Sequence, residues 1–80
     1  MTVTVRFFAS YAEVLGRQSL VLNLTDGATV ADVMANVAGL PGSDRIPPAP
    51  LIAVNQSYAK HSHILAEGDE VALIPPVAGG

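Results

Sequence analysis

The chain has 80 residues, of which 50% are hydrophobic and 14% charged, with a formal net charge of −3. This describes one compact domain with a small core and not a disordered chain, and the acidic balance leaves no basic stripe to meet the phosphates of a nucleic acid. Cysteine is absent, which excludes a disulfide framework, a thiolate metal site and a side-chain thiol nucleophile.

From Thr2 to Phe8 apolar and polar residues alternate with period two. Val3, Val5 and Phe7 fall on one face, and Thr2, Thr4 and Arg6 on the other, so a first strand with one buried face is expected. The opening lacks the continuous apolar core of a signal peptide, and no run approaches the length of a membrane span. No membrane partner and a cytoplasmic location are therefore expected. Phe8 breaks the alternation. Burial statistics place it in the core; the other reading is an exposed apolar patch covered by a partner.

Ser10-Tyr11-Ala12-Glu13 has the form of a capping box, a hydroxyl followed three residues later by a carboxylate. Tyr11, Val14 and Leu15 then share a helical face, and Gly16 is a natural stop. A helix of one or two turns should join the first strand to a second, Ser19 to Leu24, with Leu20, Leu22 and Leu24 inward. Thr25-Asp26-Gly27 is turn chemistry. The one substantial helix starts at Thr29, whose hydroxyl can cap it, with Asp32 in the first turn where the macrodipole favours negative charge. Its core stripe is Val30, Val33, Met34, Val37 and Leu40. Gly39 to Pro50, punctuated by glycine and proline, is a single connection of variable surface.

Leu51 to Val54 reads as a short buried strand. Asn55-Gln56 is placed for a tight turn into a brief edge strand, Ser57-Tyr58-Ala59. His61 and His63 have no nearby third ligand, which argues against a metal site. Ile64 and Leu65 are expected to plug the sheet edge. Glu67-Gly68-Asp69-Glu70 reads as a solvated acidic turn; its alternative is a patch steering a basic partner.

Glu70 to Ile74 is the last strand. Val71 and Leu73 face one way, Ala72 and Ile74 the other, so both faces are apolar, as in a central strand. Pro75 and Pro76 then stop it, because each lacks a backbone donor and fixes φ. Val77, Ala78, Gly79 and Gly80 follow, and four extended residues reach roughly 13–14 Å. Gly79 and Gly80 carry no side chain and leave the terminal carboxylate sterically bare. That suits a tail threaded into a narrow site on a partner.

The crossover through the main helix, and a last strand needing two buried neighbours, favour a mixed sheet with the helix on one face. The first and last strands are then adjacent and parallel. This is an α+β, ubiquitin-like β-grasp domain over residues 1–76, with a flexible C-terminal tail over 77–80. Phe8, Leu51, Leu65 and Ile74 are the candidates for a hydrophobic docking patch.

Val5-Arg6-Phe7-Phe8-Ala9, Ala53-Val54-Asn55-Gln56, Glu67-Gly68-Asp69-Glu70-Val71 and Pro75-Pro76-Val77-Ala78-Gly79-Gly80 resemble the MoaD/ThiS family of sulfur carriers. Within it the paired prolines look like the small subunit of molybdopterin synthase. The resemblance spans nearly the whole chain. It implies that Gly80 is the reactive residue, that Gly79, Ala78 and Val77 give it access, and that Pro75 and Pro76 aim it. No cofactor is bound in that family. An E1-like adenylyltransferase (MoeB type) uses ATP to adenylate the terminal carboxylate, which a sulfur nucleophile converts to a thiocarboxylate. The large synthase subunit (MoaE type) then receives the sulfur for the dithiolene of molybdopterin. The resemblance thus implies a non-catalytic subunit of a hetero-oligomer, with the catalytic side chains on its partner. Other destinations are thiamine, cysteine or tRNA thiolation, or a ubiquitin-like modifier or binding module.

Overall fold

The computed structural model describes residues 1–46 and 50–76. Its elements are β1 (Thr2–Phe7), α1 (Ser10–Leu15), β2 (Ser19–Asn23), α2 (Val30–Ala38), a 3₁₀ turn (Ser43–Arg45), β3 (Leu51–Val54), β4 (Ser57–Tyr58) and β5 (Glu70–Ile74). The five strands form one sheet in the order β2-β1-β5-β3-β4. β1 runs antiparallel to β2 and parallel to β5, while β3 runs antiparallel to both β5 and β4. This is the ubiquitin-like β-grasp arrangement, with the last strand at the centre of the sheet.

Period-two alternation decides which side chains enter the core. Val3, Val5 and Phe7 of β1, Val71 and Leu73 of β5, and Ile52 and Val54 of β3 all point to one face. Val30, Val33 and Val37 of α2 cover it, joined by Tyr11 and Leu65. At about 1.5–3 kcal/mol for each large apolar side chain fully buried, this cluster is the main favourable term in folding. Among the described residues no helix covers the opposite face of the sheet. No helix among the described residues is long and apolar enough to cross a membrane.

Several local expectations need correction. The Ser10–Glu13 capping box does not form: α1 begins after Ala9, which holds φ at 50° with no side-chain cap. With Phe7 turned into the core, strand alternation puts Phe8 on the opposite face, where it is 41% exposed. Gly16 does end α1 in the left-handed region, at φ 69°.

The start of α2 is held by partners far apart in sequence. The Asp32 carboxylate accepts from the Thr29 N–H at 2.8 Å and from its hydroxyl at 3.3 Å. The carbonyls of His63 and His61 accept from the N–H groups of Val30 and Ala31. These bonds satisfy donors that a helix cannot satisfy internally. Ile64 bridges to Thr29 and is 66% exposed, so it pins the helix entrance and does not plug the sheet edge. β4 forms that edge. Leu65 lies in the core at 4% exposure.

Candidate functional site

β5 delivers the chain to its end. It is hydrogen-bonded on both sides, to β1 and to β3, so its direction is fixed along its whole length. The Phe8 N–H donates to the Leu73 carbonyl at 3.2 Å, extending the β1 side almost to the strand's last residue. Ile74 pairs with Leu51. Pro75 follows half-buried and Pro76 exposed. Val77, Ala78, Gly79 and Gly80 lie outside the described residues.

Beside this exit the open face of the sheet carries a groove of about 440 Å³. Phe8, Ala53, Tyr58, Ala72 and Ile74 supply its apolar surface, with Arg6, Gln56 and Glu70 at its polar side. Leu51, 38% exposed, adjoins it through its pairing with Ile74. The Arg6 guanidinium lies 6.0 Å from the centre of the Phe8 ring and 3.7 Å from the Glu70 carboxylate. Both charged side chains are about half exposed, so solvent screens that pair and its value is small. Tyr58 is 77% exposed, and nothing in its local sequence marks it as a groove residue. Strand alternation puts it on the face of Ala53, its partner across β3–β4.

Three of the four candidate patch residues therefore meet on one surface: Phe8, Leu51 and Ile74. Leu65 does not. It is a core residue on the opposite side of the sheet, because the bond from its N–H to the Ala28 carbonyl draws it under α2.

The acidic turn before β5 is a fastening. Glu67 accepts from the Thr2 N–H through both carboxylate oxygens, at 3.1 and 3.2 Å. Asp69 accepts from the Ala66 N–H at 2.8 Å and from the Asn55 side-chain amide at 2.9 Å. The Ala66 bond first, and the Asn55 bond second, hold the Asp69 carboxyl below its usual range, since each stabilises the charged form. Asn55 and Gln56 both adopt positive φ, 49° and 72°, the signature of a type I′ hairpin turn. Among the described residues no cluster of three metal-ligating side chains forms.

The profile of the ThiS family matches residues 5–80. The chain is 37% identical to a molybdopterin synthase sulfur carrier subunit from Chlamydomonas reinhardtii, covering all of both chains. It is 35% identical to small archaeal modifier protein 3 from Haloferax volcanii, again over the whole of both. A solved complex of subunits 1 and 2 of the molybdopterin-converting factor from Helicobacter pylori contains a chain that superposes with a TM-score of 0.76 at 25% identity, covering both chains completely.

Proposed function

Since the chain belongs to the ThiS family of ubiquitin-like sulfur carriers, we propose that its reagent is the carboxylate of Gly80, carried as a thiocarboxylate. The supporting observation is the placement of β5. A strand locked between two neighbours ends at Pro75-Pro76 beside an apolar groove. A partner seated on that groove would stand beside the end of β5 and Pro75.

The chemistry follows from the weakness of a carboxylate as an electrophile. Its charge is delocalised and oxide is a poor leaving group. Joining Gly80 to AMP creates an acyl-adenylate with a good leaving group, and a sulfur nucleophile displaces AMP. An E1-like adenylating enzyme of the MoeB type, using ATP, is the proposed activator. The proposed recipient is a MoaE-type large subunit of molybdopterin synthase, which would supply the catalytic side chains and take the sulfur for the dithiolene. The Chlamydomonas reinhardtii relative favours this pathway, and the Helicobacter pylori two-subunit complex favours a hetero-oligomer.

The likeness to small archaeal modifier protein 3 favours a second reading. Adenylation of Gly80 is the same, but an amine takes the acyl group and an amide results. Incubation with the activating enzyme, ATP and a sulfur donor separates the two. A terminus with sulfur in place of oxygen supports the carrier; Gly80 amides on other proteins support the modifier. Adding one residue after Gly80 should abolish either activity without unfolding the domain, and full activity with a blocked terminus would overturn both.

A further inference from the structure

One edge of the sheet, two strands away from β5, is left open. β2 is the outermost strand on its side of the sheet, with β1 as its one sheet neighbour. The Phe7 N–H donates to the Gln18 carbonyl, and the Leu24 N–H to the Met1 carbonyl. The antiparallel ladder alternates bonded and non-bonded pairs. It therefore assigns the bonds toward β1 to Leu20 and Leu22, opposite Val5 and Val3. Ser19, Val21 and Asn23 are left with their backbone N–H and C=O groups pointing away from the sheet.

Such a row is a template for another strand, and proteins usually blunt it with lysine, proline, a bulge or an inward charge. β2, Ser19-Leu20-Val21-Leu22-Asn23, has none of these. Val21 is 60% exposed. The Asn23 side chain accepts from the Thr2 hydroxyl and does not turn back to cap the outward backbone groups.

The sequence of β2 reads nearly the same in both directions about Val21, and we infer from this that β2 pairs antiparallel with β2 of a second copy, on a two-fold axis through Val21. Ser19 then lies opposite Asn23 of the second copy, Leu20 opposite its Leu22, and Val21 opposite its Val21. Ser19, Val21 and Asn23 each donate one backbone bond and accept one. The half-buried flanks of Leu20 and Leu22 cover each other on the helix side, and the two Val21 side chains meet on the open face. Arg17, just before β2, comes to the same end of the seam as Asp26 of the other copy, whose carboxylate is almost fully exposed and lies 3.8 Å from its own chain's Met1 ammonium, so the charges there are opposite in sign. A register shifted by one residue would place leucine opposite serine or asparagine and leave the outward groups unmatched.

Two five-residue strands bury less than the roughly 1,200 Å² of a stable interface, so the dimer is reversible. β1 and β5 separate this edge from β3 and β4, and both copies keep the groove beside β5 uncovered. The result is a two-armed assembly, a continuous sheet with β4 at each end and one groove on each half.

Sedimentation equilibrium from micromolar to millimolar protein tests this. The mass should rise from 8.2 kDa toward twice that value. Val21→Lys sets two like charges side by side at the axis and should weaken association about tenfold or more. Because Val21 is exposed, the variant should keep its circular dichroism spectrum. Val21→Cys, in an otherwise cysteine-free chain, should form a disulfide between copies, whereas Ile64→Cys should not. A wild-type chain that stays monomeric throughout, or a dimer indifferent to Val21→Lys, overturns the inference.

Discussion

Asn55 grips both the turn and the strand that precede the tail: its amide donates to Asp69 Oδ1 at 2.9 Å while its carbonyl oxygen accepts from the Glu70 N–H at 3.0 Å. The Asn55 N–H also donates to the Glu70 carbonyl. The β3–β4 turn is thereby fastened to the first residue of β5, the strand that leads into Pro75. Asn55→Ala removes both side-chain bonds and should cost about 1–2 kcal/mol in chemical denaturation.

The same clamp predicts a pH dependence. The native Asp69 carboxyl is held below its unfolded value, so the unfolded chain binds its proton first as pH falls. This contribution to stability is complete above the ordinary aspartate value of about 3.9. It is lost as pH falls from there through the lowered native value. Unfolding midpoints measured across that range should decline in the wild type and flatten in Asp69→Asn.

Gln56 sits at φ 72°, where a side chain is strained and glycine is not. The type I′ turn prefers Asn-Gly. Gln56→Gly should therefore stabilise the domain by about 0.5–1 kcal/mol, read as a higher denaturant midpoint with an unchanged slope.

Leu73 and Phe8 should separate folding from docking. Leu73 is 2% exposed, and Leu73→Ala should cost about 2–5 kcal/mol of stability. Phe8 is exposed on the groove, so Phe8→Ser should leave the unfolding midpoint nearly unchanged. If the groove seats the large subunit, that variant should weaken binding by about 1–3 kcal/mol in calorimetric titration.

Much of the fold is readable because a strand with one buried face alternates. Val3, Val5 and Phe7, and Val71 and Leu73, declare β1 and β5, and the valine stripe of α2 declares its buried side. Average burial favours a core position for Phe8, but the alternation that buries Phe7 continues one residue further and turns Phe8 to the open face. Leu65 was misplaced because the bond to Ala28 that draws it inward spans 37 positions. The carbonyls of His61 and His63 serve the start of α2 from the far end of the chain, and local composition holds no trace of such a partnership. The groove follows from strand order: Phe8 just past β1, Tyr58 of β4 and Ile74 of β5 converge only once β5 lies between β1 and β3.

The central claim is that the main-chain terminus is the reagent. Intact-mass analysis of the chain after incubation with an E1-like adenylating enzyme, ATP and a sulfur donor addresses it directly. The account predicts the mass change for one oxygen replaced by sulfur, located at Gly80 by fragmentation and absent when a residue is added after it. A Gly80 carboxyl that stays unmodified under conditions that convert an authentic family member would contradict it.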